Sequence, residues 1–182
     1  MIPAGYMAKR VSNKPDWLKV DTVIDIYAVS DCVSDDFVDS IDYWKHNGYW
    51  LFDSPAVIEN LARENSIELS ETKLFFYEIY GLEFHEGVSE WRSFDPESSF
   101  PTKVVVPNDK FLEGYDVVTF SCGNSPECSP LSCNSLATEI RTNQHCLLDS
   151  FDEAKRYLES GSFNDSEPGP FRIFAVYSVQ WL

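Results

Sequence analysis

Three of the five cysteines lie within twelve positions, in the run SCGNSPECSPLSCNS at residues 121–135. Five residues separate Cys122 from Cys128, and four separate Cys128 from Cys133. His145 follows twelve residues after Cys133. Thiolate and imidazole groups bind Zn²⁺ in tetrahedral sites, so these four side chains are the candidate metal ligands. The run has no Cys-x2-Cys pair, so zinc is one of several interpretations that the spacing allows.

Two other interpretations of this run stay open. Cys128 and Cys133 could form a redox pair, although neither a Cys-x-x-Cys motif nor a neighbouring base accompanies them. The run is also rich in Gly, Asn, Ser and Pro, which are typical of turns, and its thiols would then be small buried apolar groups. Because the N-terminus shows no secretory signal, the cysteines are expected to be free thiols or metal ligands.

Residue types elsewhere in the chain give little support for catalysis. The three histidines lie in no recognised motif, and Gly-x-Ser-x-Gly, His-Glu-x-x-His and phosphate-binding glycine patterns are missing from the sequence. Adjacent carboxylates such as Asp35 and Asp36 lie where a helix is predicted to begin, and the helix dipole explains acidic residues there. We therefore assign no catalytic residue and expect a protein that is not an enzyme.

The net charge of the chain is −16, and it is distributed unevenly. Residues 1–20 carry a net charge of +3, so the other 162 residues carry −19. Such an acidic surface repels the phosphates of nucleic acids, which argues against direct binding of DNA or RNA. It attracts a basic protein and accelerates its association, although the same charge also keeps a protein soluble without any partner.

Five residues are the candidates for contact with a basic partner. Trp91 and Arg92 are adjacent in a long segment between the predicted elements, and an exposed Trp-Arg pair is typical of interface hot spots. The acidic candidates are Asp35, Asp36 and Glu127. Trp91 could instead be a loop residue that packs on the core.

Positioning these residues requires a framework, and the sequence contains a duplicated pattern. Residues 47–65 and 143–161 match at a constant offset of 96, where an Asn, a Leu and an Asp-Ser pair coincide. Each stretch predicts a short strand and then a helix, with Ser54 and Ser150 as the N-cap residues. The apolar positions of both predicted helices recur at helical spacing along one face.

Strands and further helices are predicted on both sides of this pattern. The predicted strands lie at 25–30, 75–84, 116–121 and 172–181. Additional helices are expected at 34–48 and 135–143. The chain thus contains two β-α-β-α-β units, which predicts an α+β fold with an internal duplication and the final strands together at the centre of one pseudo-twofold domain. A doubly wound α/β sheet is the alternative, because strands and helices alternate.

We expect a single domain over residues 1–182. Within it the first repeat spans 20–84, the linker 85–113 and the second repeat 114–182. Prolines interrupt regular structure in the linker, although residues 103–107 could form an extra edge strand. The sequence has no apolar run of the roughly 20 residues that a membrane span needs, so we expect a cytoplasmic protein. Because a duplicated domain satisfies its own twofold symmetry, a monomer is expected.

Three runs carry a resemblance to known proteins. They are GYWLFDSP at 48–55, ECSPLSCN at 127–134 and EPGPFRIFAVYSVQWL at 167–182. Together these runs resemble a family of small, acidic, uncharacterised bacterial proteins. The resemblance covers most of the chain. That resemblance implies no activity and gives no residue a role. In size, acidity and tryptophan content, the chain is also similar to immunity proteins of bacterial toxin systems.

Two functions are therefore open at the level of sequence. The first is a non-enzymatic, cytoplasmic protein-binding module. The similarity to immunity proteins suggests a specific form of this module, an inhibitor or immunity protein for a basic toxin. The alternative is a metal- or thiol-dependent enzyme centred on Cys122, Cys128 and Cys133. A small-molecule pocket between the two halves is a third possibility. No cofactor is expected apart from zinc in the metal interpretation.

Overall fold

The computed structural model describes residues 1–121 and 125–181 and has a mixed α+β fold. The strands are β1 (Ile2–Arg10), β2 (Asp35–Asp36), β3 (Lys73–Ile79), β4 (Leu82–His85), β5 (Glu90–Ser93), β6 (Phe111–Thr119) and β7 (Phe171–Val179). The α-helices are α1 (Pro55–Asn65), α2 (Pro130–Cys133) and α3 (Phe151–Glu159). The α+β class predicted from the sequence is confirmed. None of the helices in the described ranges is long and apolar enough to cross a membrane.

The strands form one antiparallel sheet with β3 and β7 at its centre. β3 pairs with β1 on one side and with β7 on the other, and β6 pairs with the far side of β7. The prediction that the final strands of the two halves pair is confirmed by this register, which joins Phe76 to Tyr177. The doubly wound alternative requires parallel strands and is wrong, because every strand pair among the described residues is antiparallel.

β1 and β6 share an irregularity at a glycine. The register of β1 shifts between Pro3 and Gly5, and that of β6 shifts between Leu112 and Gly114. Gly5 has φ of +135° and Gly114 has φ of +150°, values that residues with a Cβ rarely adopt. A Cβ on either glycine would also lie 2.6–2.8 Å from a backbone oxygen, so backbone crowding excludes a side chain at both bulges.

An asparagine closes the chain over each bulge. Asn47 Nδ2 donates to the carbonyl of Ala4 at 2.7 Å, and Asn143 Nδ2 donates to the carbonyl of Glu113 at 2.7 Å. Each asparagine Oδ1 also accepts two backbone N–H groups from the following four residues. We call residues 47–52 the first corner and residues 143–148 the second corner. The corners hold α1 and α3, which begin a few residues later, against the sheet.

Several predicted elements differ from those observed. Residues 25–30 do not form a strand. The strand that pairs with β3, as β6 pairs with β7, is β1, which the sequence prediction missed. The helix predicted at 34–48 is wrong, because only a 3-10 turn forms, at Phe37–Ser40. Asp35 and Asp36 instead pair with the end of β1 as strand β2, which uses the backbone groups that a helix start would need. At 135–143 there is likewise only a short 3-10 turn, Leu136–Thr138.

The predicted linker contains more regular structure than expected. It begins inside β4, continues through the β4–β5 hairpin and ends inside β6. Residues 103–107, the possible edge strand, are not part of the sheet. They run beside the start of α1, where the N–H of Lys103 donates to Asp53 Oδ2 at 2.7 Å and the N–H of Val105 donates to the Asp53 carbonyl at 2.9 Å. The middle of the linker therefore packs on the first half of the molecule.

Candidate functional site

The structure contains a cleft of about 420 Å³ beside the first corner and the cysteine-rich run. Its walls come from β1, from the segment between β1 and α1, and from the residues just before α2. The lining residues are Met7, Asp31, Asp36, Val38, Trp44, Trp50, Ser125, Pro126 and Glu127. Three carboxyl side chains and two indoles thus share one cleft.

Two tryptophans form the aromatic wall of the cleft. The rings of Trp44 and Trp50 lie 5.8 Å apart and nearly perpendicular, and His46 stacks on Trp50 at 3.7 Å. Trp50 has φ of 60°, a left-handed conformation that the tight first corner imposes. Its indole Nε1 is buried and has no hydrogen-bond partner among the described residues. The aromatic wall therefore consists of two indole rings, one of which also stacks on His46.

The acidic wall contains a carboxylate that a buried lysine holds in place. Lys9 is 1% exposed, and its Nζ lies 3.1 Å from Asp36 Oδ1. The same Nζ donates to the carbonyls of Ala28, Val29 and Ser30 at 2.7–3.1 Å. Burial raises the pKa of Asp36 to about 6, and the charge of Lys9 opposes that rise. Asp36 is thus a fixed, largely charged group at neutral pH.

The other two carboxyl groups of the cleft are nearer to solvent. Asp31 is exposed, and Glu127 Oε2 accepts hydrogen bonds from the N–H and Oγ of Ser121 at 3.1 and 2.6 Å. Carboxylates beside aromatic faces are the environment that binds ammonium and guanidinium groups, through charge-assisted hydrogen bonds and cation–π attraction. Lysine or arginine side chains are the chemical class that the cleft would accept.

A cluster of three cysteine sulfurs lies beside the cleft. Cys128 and Cys133 form a disulfide with their Cα atoms 6.6 Å apart, so the expectation that all cysteines are thiols or metal ligands is wrong for this pair. The α2 turn brings them together, since the N–H of Cys133 donates back to the carbonyl of Ser129 at 3.0 Å. The sulfur of Cys32 lies within 4.8 Å of both, and Cys32 is a free, exposed thiol.

Hydrogen bonds link Cys32 to a buried carboxyl group. Ser30 Oγ lies 2.8 Å from Cys32 Sγ and 3.0 Å from Ser129 Oγ, which donates to Asp116 Oδ2 at 2.6 Å. Asp116 also accepts the N–H groups of Val29 and Val117. Burial raises the pKa of Asp116 to about 6, although its hydrogen bonds oppose that rise. This network fixes the segment that carries Cys32 against the start of α2.

The four candidate metal ligands are not all in one place. Cys128 and Cys133 are in the sulfur cluster, whereas Cys122 lies outside the described residues. His145 belongs to a different group, in which its Nδ1 lies 2.5 Å from Asp25 Oδ1 and its Nε2 lies 3.6 Å from Glu113 Oε2. The metal-ligand group found among the described residues contains Cys32 in place of His145.

The candidate partner-binding residues also separate into two regions. Asp36 and Glu127 line the cleft, and Asp35 is exposed in β2 next to it. Trp91 and Arg92 lie in β5, at the end of the sheet order opposite β2.

Trp91 has contacts that account for it within the fold. It packs on Phe84 at 5.1 Å between ring centres and donates from Nε1 to Glu159 Oε1 at 2.9 Å. Arg92 pairs with Glu90 at 2.8 Å on the surface. These contacts agree with the second interpretation of Trp91, in which it packs on the core.

The sequence interpretation missed Lys9, Cys32 and Asp116 as members of the site. A lysine that continues the run of buried residues near the end of β1 would have been a usable signal for Lys9, had β1 been predicted. Cys32 is 96 positions before Cys128, so no local spacing rule can connect them.

Comparison with known proteins adds no further information about this site. No family model, curated protein or solved structure matches the chain. Its function must therefore be inferred from the geometry of the cleft and the sulfur cluster.

Proposed function

We propose that the protein is a non-enzymatic binding module that accepts a basic side chain of a partner protein in the cleft between Trp44, Trp50 and the three carboxyl groups. The observation that supports this proposal is the shared lining of carboxylates and indoles. A lysine or arginine there would stack on an indole and pair with Asp31 or Glu127. Cation–π contact contributes about 0.5–2 kcal/mol, depending on desolvation.

The net charge supports the same class of partner. A chain with a net charge of −16 draws a basic protein toward it, and the association weakens as salt screens the charges. The specific partner that we propose is a basic toxin domain, which this chain would inhibit as an immunity protein in the cytoplasm. The cleft would then receive one side chain, and the surrounding acidic surface would orient the partner.

We also infer that the two halves are copies of one ancestral unit. This inference is supported by the two glycine bulges, by the two asparagine corners, and by Trp50 and Cys146, which both have φ of 60°. The correspondence differs from the one expected from sequence, because it relates β1 to β6. In a duplicated domain one copy of a surface can change while the other keeps the fold, which would allow a cleft beside the first corner and none at the equivalent place beside the second.

The binding proposal can be tested by calorimetric titration with a hexaarginine peptide. The double variant Asp31→Asn/Glu127→Gln should reduce the affinity at least about tenfold, since each tenfold step corresponds to about 1.4 kcal/mol. The control is Glu90→Gln/Glu159→Gln, which removes the same charge far from the cleft and should change the affinity by less than about twofold. An equal loss in both variants would show diffuse attraction and reject the cleft.

A second measurement reports on the position of the bound side chain. In a spectrum of indole ¹H–¹⁵N groups, the Nε1 resonance of Trp50 should shift when hexaarginine is added. The Nε1 resonance of Trp91, which donates a hydrogen bond to Glu159, should stay unchanged and serves as the internal control. A shift of Trp91 without a shift of Trp50 would place binding on the β5 hairpin instead of the cleft.

A further inference from the structure

We propose that Cys32, Cys128 and Cys133 form a thiol–disulfide exchange site in which the Cys32 thiol attacks the Cys128–Cys133 disulfide. The three sulfurs lie within 4.8 Å of one another, and Cys32 is the only one of them outside the disulfide. Cys32 is exposed, so reagents in solution can reach its sulfur. This inference does not depend on the proposed binding function.

The position of Cys32 beside the disulfide is enforced by buried interactions. The N–H of Val29 donates to Asp116 Oδ2 at 2.7 Å, and the N–H of Ser30 donates to Ser129 Oγ at 3.3 Å. Lys9 Nζ binds three successive carbonyls in the same segment. Cys32 follows two residues after Ser30, so its backbone is held near Ser129, the residue just before α2.

The exchange step is balanced without an added oxidant or reductant. The Cys32 thiol gives up its proton, and the sulfur forms a bond to one sulfur of the disulfide. The Cys128–Cys133 bond breaks, and the electron pair goes to the sulfur that leaves, which takes up one proton. The product is one disulfide and one free thiol, as in the starting state.

Both possible leaving sulfurs have an acceptor close by. Cys128 Sγ lies 3.3 Å from Asn134 Oδ1, and Cys133 Sγ lies 3.1 Å from the carbonyl of Ser129. Either released thiol could therefore donate a hydrogen bond as soon as it is protonated. On the other side, Ser30 Oγ at 2.8 Å from Cys32 Sγ begins a hydrogen-bonded path to Asp116 for the proton that leaves. The surroundings can stabilise both arrangements of the disulfide.

Exchange would connect two walls of the cleft covalently. Asp31, next to Cys32, and Glu127, next to Cys128, come from different segments of the cleft lining, and the disulfide found among the described residues does not join these segments. A disulfide from Cys32 to Cys128 or Cys133 would bridge these walls. The site is thus positioned to change the cleft when the disulfide moves.

Irreversible alkylation of the full, non-reduced chain tests the proposal without any substitution. The protein is incubated with N-ethylmaleimide for increasing times, digested and mapped by mass spectrometry. Exchange moves the free thiol among the three positions, so the label should appear on Cys128 or Cys133 as well as on Cys32. Label that stays on Cys32 while the Cys128–Cys133 disulfide remains intact would overturn the proposal.

Substitutions give an independent readout of the same exchange. In Cys133→Ser, exposure to a glutathione redox buffer should produce a Cys32–Cys128 disulfide, and Cys32→Ser should abolish labelling of Cys128 and Cys133. Cys146→Ser is the matched control, because this buried thiol lies outside the cluster and its loss should leave the label distribution unchanged. The same labelling in a Cys122→Ser background should be unchanged, which would show that Cys122 is not the attacking thiol.

Two further outcomes would reject the exchange site. If Cys133→Ser and Cys128→Ser both fold, as judged by circular dichroism, and Cys32 remains unpaired in both, the three sulfurs do not exchange. If labelling of Cys128 and Cys133 is lost in Cys122→Ser but persists in Cys32→Ser, the attacking thiol is Cys122 and the assignment to Cys32 is wrong.

Discussion

The first and second corners have the same backbone geometry and different surroundings. In each, an asparagine side chain binds the carbonyl beside a glycine bulge and accepts two later N–H groups. The third residue after each asparagine, Trp50 or Cys146, has φ of 60°. Trp50 lines the cleft, whereas Cys146 is buried, and burial raises its pKa to about 12.

The difference comes from the segment that covers each corner. The second corner is covered by residues 24–27, where the N–H groups of Ile24 and Tyr27 donate to the carbonyls of Gln144 and His145. The linker contacts the chain just before the first corner. Ser99 Oγ accepts the N–H of His46 and donates to the His46 carbonyl. The same corner therefore closes the core in both halves, and the covering segment decides whether a cleft remains.

Equivalent positions after the two bulges carry opposite chemistry. Two residues after the glycine, β1 has Met7 and β6 has Asp116, and four residues after it β1 has Lys9 and β6 has Val118. Each buried charge thus corresponds to an apolar residue in the other half. Lys9 has Asp36 and three backbone carbonyls as partners, and Asp116 has Ser129 and two backbone N–H groups. The comparison predicts that the charged version of each position depends on these partners.

The largest expected effect is the loss of the buried lysine. Lys9→Met should reduce the free energy of unfolding by about 3–5 kcal/mol, because Asp36 would remain buried without its positive partner. Urea unfolding at pH 7 measures this loss. Lys9→Met/Asp36→Asn should recover part of it, since Val118 shows that an apolar residue fits the equivalent position. A double variant no more stable than Lys9→Met would show that the lysine acts through the three carbonyls instead.

Adding a methyl group at either glycine bulge should destabilise the fold by the same amount. Gly5→Ala and Gly114→Ala should each reduce the free energy of unfolding by about 3 kcal/mol, because the new Cβ meets backbone oxygen and the positive φ becomes strained. Gly87→Ala is the matched control, because its Cβ would have no atom within 4 Å. It should change stability by less than about 0.5 kcal/mol. A large loss at one bulge only would break the equivalence of the corners.

The elements with regular patterns were predictable, and the irregular ones were not. α1 and α3 follow from Ser54 and Ser150 and from apolar residues at helical spacing, and β3 and β7 follow from their aromatic and β-branched runs. β1 was missed because Pro3 and Gly5 interrupt the pattern of a strand. Their bulge can be understood only once the first corner is seen to pack against it.

The site was predictable only where its residues are local in sequence. The run predicted as a candidate site contains Cys128 and Cys133, two of the three clustered sulfurs, but short spacing rules could not supply Cys32. Asp36 appeared to be a helix-start residue, since nothing in its own segment reveals the lysine of β1 that binds it. Long-range pairs of this kind depend on the register of the sheet, which one sequence does not determine.

Asp116 should make the free energy of unfolding depend on pH. Met7, at the equivalent position of β1, has no titratable group and cannot do so. The pKa of Asp116 is raised from 3.8 to about 6, so between pH 4 and pH 6 the folded chain binds a proton that the unfolded chain has released. The contribution of this carboxyl to the free energy of unfolding therefore falls as the pH rises and levels off near pH 7. The fall is on the order of 2 kcal/mol.

Urea unfolding of Asp116→Asn at pH 4 and pH 7 tests this sign. The wild-type protein should lose more stability than the variant between these two values. Asp109→Asn removes an exposed carboxyl group and should retain the wild-type difference. A variant whose stability changes between pH 4 and pH 7 as much as that of the wild type would show that Asp116 does not titrate in this range.

The smallest expected effect distinguishes the starts of α1 and α3. Ser150 Oγ accepts the N–H of Glu153 at 3.2 Å, whereas Ser54 makes no side-chain hydrogen bond to its helix. Ser150→Ala should therefore reduce the free energy of unfolding by about 1 kcal/mol, and Ser54→Ala by less than about 0.5 kcal/mol. In α1 the N–H of Val57, which corresponds to that of Glu153, donates to the backbone carbonyl of Ser54 at 3.2 Å instead of to its side chain. Equal losses in urea unfolding would mean that Ser54 caps α1 in solution, and the two halves would then be more alike than their hydrogen bonds indicate.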